Sequence, residues 1–172
     1  MRRVVVTGLG TINSTGHNVK DSFQAVVDGV CGIDTITLFD ASDFSVQIAG
    51  EVKDFNPETV MDKKEVKKAD RFIQLGIKAA LEAMIDSGYV TQEDKKVDAS
   101  IADRFGIISG SGIGGLSTIE KNSVVCENRG SRKISPFFIP KVSHTKVAQT
   151  TISLLAIVLI KSLLLLSPIS TT

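Results

Sequence analysis

No glycine follows Gly130 and no acidic residue follows Glu127, although 14 glycines and 19 acids stand in the chain up to those points. That asymmetry divides the 172 residues near Pro140. Residues 1–140 read as a well-patterned α/β segment. Residues 141–172 do not continue the pattern: they include the run Leu154-Leu-Ala-Ile-Val-Leu-Ile160, and Lys141, Lys146 and Lys161 are their only charged side chains. Two parts are therefore expected, an organised part over 1–140 and an apolar tail over 141–172, helical or disordered.

Within the first part the periodicities alternate between strand and helix. Arg3 to Thr7 is a β-branched run that ends in Gly8-Leu-Gly10, the pattern of a strand and a tight turn. Asn18 is placed to cap a helix running to about Asp28, with Phe23, Val26 and Val27 facing inward and Gly29 as its stop. Ile33–Phe39 and Val46–Val52 read as short strands, and Pro57 suits the first turn of a helix behind Asn56. The clearest element spans about Asp70 to Ser87. Ile73, Ile77, Ala80, Leu81, Met84 and Ile85 recur at helical spacing on one face, and Gly88 ends the run. Phe105 to Ser109 reads as an apolar strand. A glycine loop, Gly110-Ser-Gly-Ile-Gly-Gly115, separates it from a helix over about Leu116–Glu127. The order β-α-β-β-α-β-α predicts a mixed sheet with covering helices.

Composition excludes several classes. The net charge is +1, and three of the 20 basic residues fall after Pro140, so the organised part is slightly acidic and carries no global field for nucleic acid. The two cysteines, Cys31 and Cys126, form neither a metal-ligand spacing nor a disulfide framework. The N-terminus carries only a strand-length apolar run and is no signal peptide, so a reducing cytoplasm is the expectation. Ile152 to Leu166 is 15 residues long and contains Lys161. A spanning helix needs about 20 predominantly apolar residues, and a central lysine costs about 2.5–3.5 kcal/mol on insertion scales. A membrane-tethered chain is thus the weaker reading of that tail.

Candidate chemistry is sparse. Gly110 to Gly115 formally matches G-x-G-x-x-G, which lets backbone amides approach a pyrophosphate at a helix N-terminus. A dinucleotide site also needs an acid about 20 residues on, and none follows Glu127. These glycines read instead as positions of close backbone packing or positive φ. Gly would have to stand at 109 for a nucleophile elbow, where the chain has Ser109. His17 and His144 read as loop or surface residues, Cys126 as a small core residue and Cys31 as a turn residue. No metal or cofactor site is expected. Lys63, Lys64, Lys67 and Lys68 cluster before the long helix, and Lys64, Lys67 and Lys68 share one face at i, i+3 and i+4. Such a cluster is either a solvated surface or a docking patch that steers an acidic partner.

Several stretches together resemble the N-terminal part of the β-ketoacyl-acyl carrier protein synthases of type II. They are Arg2-Arg-Val-Val-Val-Thr-Gly-Leu-Gly10, Phe39-Asp-Ala-Ser-Asp43, Lys67-Lys-Ala-Asp-Arg-Phe-Ile-Gln-Leu-Gly76, Arg104 to Leu116, and Arg132-Lys-Ile-Ser-Pro-Phe-Phe-Ile-Pro140. The resemblance implies an α/β, thiolase-like fold, here the N-terminal portion of an α-β-α-β-α layered body that is usually a homodimer. It implies fatty acid elongation without a cofactor. A cysteine takes an acyl group from acyl carrier protein, malonyl-carrier protein loses CO₂, and the resulting carbanion attacks the thioester to give a 3-oxoacyl product. By the same resemblance Lys64, Lys67 and Lys68 match carrier-protein contacts. Ile113 matches the residue at the deep end of the acyl pocket, and Phe137 and Phe138 belong to the segment lining that region.

The family's nucleophile lies in a Thr-Ala-Cys motif after this point, and two histidines and a lysine complete its catalytic set. Pro140 is followed here by Lys-Val-Ser-His-Thr-Lys, no Thr-Ala-Cys occurs, and His144 is the one later histidine. No catalytic residue is therefore assigned. The tail is expected to be out-of-frame or foreign sequence, and the chain alone is expected to be silent in catalysis, marginal in stability and prone to aggregate. A carrier-binding module that docks without condensing is the alternative function.

Overall fold

Helix formation begins where the sequence offers a side-chain cap. The computed structural model describes residues 3–143, and four of its helical segments start behind a capping Asn or Asp. In chain order the elements are α1 (Val19–Val27), β1 (Asp34–Thr35), β2 (Ile48–Ala49), a 3-10 turn (Pro57–Thr59), α2 (Lys63–Val66), α3 (Arg71–Asp86), α4 (Ala99–Ala102), α5 (Leu116–Arg129), a second 3-10 turn (Ser131–Lys133) and α6 (Phe138–Val142). Asn18 accepts from the Asp21 amide, Asn56 from Glu58, Asp70 from Arg71 and Asp98 from Ser100. Each satisfies one of the amides that a helix start leaves without an internal partner. Gly88 stops the α3 segment with φ +74°, a conformation that glycine reaches without a Cβ penalty.

The core is organised on α3. Ile73, Ile77 and Met84 are fully buried on it, and Ala80 and Leu81 join them. At its N-terminal half Ile73, Ile77 and Leu81 pack with Val60, Met61 and Ala69, flanked by Phe55, Val66 and Phe72. At its C-terminal half Met84 and Val90 pack with Tyr89, Val97, Phe105 and Ile107. Tyr89 and Phe105 meet edge to face at 5.0 Å, a preferred aromatic geometry. One helix face thus holds both clusters, as the periodicity of residues 73–85 predicts.

The N-terminal segment lies across the same helix. A Cβ on Gly10 would overlap the Ala79 carbonyl oxygen, and one on Gly8 would overlap that of Ala83. Backbone therefore touches helix backbone directly, which only glycine permits. The contact is fixed by carboxylates of α3: Asp86 accepts from the Leu9 amide at 2.9 Å, and Glu82 accepts from Thr11 at 3.1 Å and Val19 at 2.7 Å.

Several expectations are corrected. Arg3–Thr7 and Phe105–Ser109 form no strand, and Ile33–Phe39 and Val46–Val52 shrink to the two-residue antiparallel pair Asp34–Ala49 and Thr35–Ile48. A strand exists only with a hydrogen-bonded neighbour, and neither apolar run finds one among the described residues. Phe105 and Ile107 still face the core while Ile108 points outward, so the alternation survives without the ladder. A broad mixed sheet is accordingly not formed among the described residues; the part present is an α/β fragment with one short ladder. On α1 the face is also reversed. Ser22 and Ala25 are buried, whereas Phe23, Val26 and Val27 are 68, 69 and 63% exposed. Gly16 lies so close to the start of α1 that a Cβ there would overlap the Ser22 amide nitrogen and hydroxyl. Cys126 is half-buried on α5 and belongs to neither core cluster. Among the described residues no helix is long and apolar enough to cross a membrane. His144 and the Ile152–Leu166 stretch lie outside the described residues.

Candidate functional site

Two groups of residues meet at the start of α3. The first is the basic turn. Lys63 and Lys64 lie on α2, Lys67 caps it, and Lys68 follows in a further turn closed by its amide on the Glu65 carbonyl at 2.9 Å. Lys63, Lys64 and Lys67 are exposed, and none has an ion-pair partner among the described residues. Lys68 differs: its Nζ pairs with Glu65 at 2.8 Å. Arg71 is also withdrawn from the cluster. Its guanidinium lies 5.1 Å over the Phe55 ring and donates to the carbonyls of Phe55 and Val52 at 3.2 and 3.1 Å. The free positive charge is therefore Lys63, Lys64 and Lys67. Lys63, which the family match does not single out, joins the patch because the turn points it to solvent.

The turn is held from beneath. The Gln74 side chain donates to the Val66 and Ala69 carbonyls at 3.3 and 3.0 Å, and Ala69 is buried in the core. These bonds join the lysine turn to α3, so the three ammonium groups project from a fixed base.

The second group is the glycine loop and α6. Ile113 is 68% exposed at the loop's apex. Gly114, at φ +80°, leaves room for the Val142 carbonyl oxygen 2.6 Å and the Phe72 ring 3.4 Å from where a Cβ would stand. Gly115 is buried against the Asp70 carboxylate. Phe137 is 46% exposed and Phe138 half-buried at the start of α6, which packs on α5. The loop, α6 and the start of α3 thus adjoin through Gly114 and Phe72. Gly110 and Gly112 have no such neighbour, so close packing explains Gly114 and Gly115 alone. The Asp70 carboxylate occupies the N-terminal end of α5, where a phosphate of a bound nucleotide would have to sit. Like charge there opposes anion binding, against the formal glycine motif.

No reactive constellation stands among the described residues. The Cys31 thiol is exposed and donates to the Ile33 carbonyl at 3.7 Å. The His17 ring packs edge-on against Phe55 at 6.2 Å. Among the described residues neither thiol is hydrogen-bonded to an imidazole, and no group of three or more His, Cys, Asp or Glu could hold a metal. A separate cleft of about 610 Å³ lies between the N-terminal segment and α3, lined by Leu9, Val19, Lys78, Leu81, Glu82 and Asp86 among others. Its carboxylates are committed to the amides of Leu9, Thr11 and Val19, so it offers no free base.

The comparisons agree with one another. A family model described as "Beta-ketoacyl synthase, N-terminal domain" matches residues 1–156 and so runs past Pro140. The 3-oxoacyl-[acyl-carrier-protein] synthase 2 of Coxiella burnetii is 47% identical over 139 residues, covering 81% of this chain and 32% of that protein. The protein of the same name from Vibrio harveyi is 44% identical over 147 residues, covering 86% of this chain and 34% of its own length. The chain therefore spans about a third of the curated relatives it matches. Among solved structures, the ishigamide ketosynthase/chain length factor superposes with a TM-score of 0.70 at 24% identity, covering 89% of this chain and 37% of that one. A type II polyketide ketosynthase solved with its acyl-carrier protein gives 0.66 at 23% identity, covering 87% and 38%. These likenesses show a shared fold, the thiolase-like layering of which this chain holds a part.

Proposed function

The chain belongs to the β-ketoacyl synthase family through its N-terminal domain, and from that premise we propose that it serves acyl-chain elongation as the carrier-docking and pocket-wall portion of a 3-oxoacyl-acyl carrier protein synthase. The observation that carries the reading is the exposed lysine turn over 63–68, seated on a rigid base within the matched segment. Acyl carrier protein is the partner, as the names of the curated relatives and the carrier complex of a fold neighbour suggest. The three ammonium groups, without an ion-pair partner among the described residues, steer an acidic surface chiefly by raising the encounter rate, an effect that salt weakens. Ile113, Phe137 and Phe138 form the chain's share of the acyl pocket. Its β-branched Ile113 limits the depth available to an acyl group.

Bond formation is assigned to groups other than those described. Condensation requires a thiolate nucleophile with a base and donors held at about 3 Å, and among the described residues neither Cys31 nor Cys126 has an imidazole hydrogen-bonded to it. The 172-residue chain thus docks carrier without condensing.

Titration with acyl-loaded carrier protein tests the docking. Lys64→Glu/Lys67→Glu is expected to weaken binding about tenfold or more at low salt, as charge reversal does at steered interfaces. Equal affinity of the variant and the unaltered chain removes the reading. A malonyl-dependent condensation assay on the same protein tests the second point, and turnover above a no-protein control refutes it.

A further inference from the structure

Asp70 touches both halves of the site. Its carboxylate caps α3 through the Arg71 amide, accepts from the Thr118 hydroxyl of α5, and presses on Gly115. One acid thus stands at two helix N-termini, where negative charge is favoured. On its N-terminal side the chain runs directly into Ala69, Lys68 and Lys67, and Gln74 ties that turn to the same helix. On the other side Gly115 leads into Gly114 and Ile113. Gly114 is seated between Phe72 of α3 and Val142 of α6, and the Ser111 hydroxyl accepts from its amide at 3.0 Å. Asn122 reinforces the anchor by donating to the Thr118 carbonyl at 2.8 Å. A continuous path of bonded and packed groups therefore joins Lys67 to Ile113, in which the Asp70–Thr118 contact is the hydrogen bond between α3 and α5 and the packing of Gly114 on Phe72 and Gly115 on Asp70 runs beside it.

We propose that Asp70 and Thr118 form a positioning pair that couples carrier docking at the lysine turn to the placement of the Ile113 loop. The coupling rests on the docking reading above and deepens it: a carrier seated on Lys64 and Lys67 shifts the turn, Asp70 moves with the start of α3, and Thr118 conveys the shift to residues 110–115. Neither residue touches an acyl group. Energetic coupling of this kind travels through contiguous packed networks, and a Cβ on Gly110 or Gly112 would find no atom within 4 Å, so the far limb of the loop has open space beside it.

Hydrogen–deuterium exchange on the full 172-residue chain, with and without acyl-loaded bacterial acyl-carrier protein, tests the pair. Carrier is expected to slow exchange over residues 63–69 and to alter it over 110–118 by about twofold or more, as a local change in opening does. Thr118→Val is expected to keep the first response and lose the second, and Thr118→Ser to restore both. Asp70→Asn keeps a capping oxygen for Arg71 and is expected to behave as Thr118→Val does. Slowing over 63–69 without any response over 110–118 overturns the coupling and leaves docking intact. A Thr118→Val chain that responds as the unaltered one does also overturns it. No slowing over 63–69 in the unaltered chain removes docking and, with it, the coupling.

Discussion

At Gly10 a single hydrogen decides how the N-terminal segment sits. An alanine there would drive its Cβ into the Ala79 carbonyl of α3, and overpacking of this kind costs about 1–3 kcal/mol. Gly10→Ala is expected to raise amide exchange at Leu9 and Thr11 about tenfold or more relative to the unaltered chain, because both amides depend on Asp86 and Glu82. Glu51 is the second decisive residue. Its buried carboxylate accepts from the Thr37 hydroxyl at 2.6 Å, from the Thr37 amide and from the Leu38 amide. These bonds favour the ionised form and hold its pKa below the usual glutamate range, the Thr37 hydroxyl foremost. Stabilisation from a lowered carboxylate is complete above the ordinary glutamate value and is lost as pH falls through the lowered one. Protection of the Thr37 and Leu38 amides, corrected for intrinsic exchange, is expected to collapse in that acidic window, and Glu51→Gln to remove the pH dependence. Sequence alone marked Gly8 and Gly10 as a turn and passed over Glu51. The reason is that Ala79, Ala83 and Thr37 become their partners only through the fold.

At the scale of elements, the longer helices α1, α3 and α5 were legible, whereas the short α2, α4 and α6 and the strands were not. A helix is announced locally, by Asn18 and Asp70 as caps, by Gly88 as a stop and by the spacing of Ile73, Ile77 and Met84. Arg3–Thr7 has strand composition, but a ladder needs a distant partner, and composition names none. The face of α1 was misread for a related reason: apolarity marked Phe23, Val26 and Val27, whereas the residue that meets Gly16 is Ser22. The same contrast sorts the site. The lysine turn is readable as spacing, while Asp70–Thr118 joins residues 48 positions apart and has no local signature beyond Asp70's role as a cap. α3 carries both core clusters, so truncating its centre tests the architecture. Ile77→Ala is expected to cost about 2–5 kcal/mol and to abolish slow exchange along α3, whereas Ile113→Ala, on the exposed loop, is expected to leave α3 unaffected.

For the molecule as a whole, the balance of apolar surface is the governing fact. Val4, Val5, Val6, Leu38, Phe44 and Ile108 are all more than half exposed, beyond the scattered apolar residues an ordinary surface carries. The purified chain is expected to bind a hydrophobic dye such as ANS and to self-associate as its concentration rises, checked by fluorescence and light scattering; a monodisperse, dye-silent monomer would contradict that. The five quoted motifs sufficed to identify the family from sequence, since motif identity needs no packing. How much of the family's layered body these residues build by themselves was hidden, because layering depends on what covers each face. The seat of Gly8 and Gly10 on α3 also carries a consequence for biosynthesis. Leu9 and its acceptor Asp86 are 77 positions apart, so during synthesis the Gly8–Gly10 segment has no seat until the helix has emerged behind it.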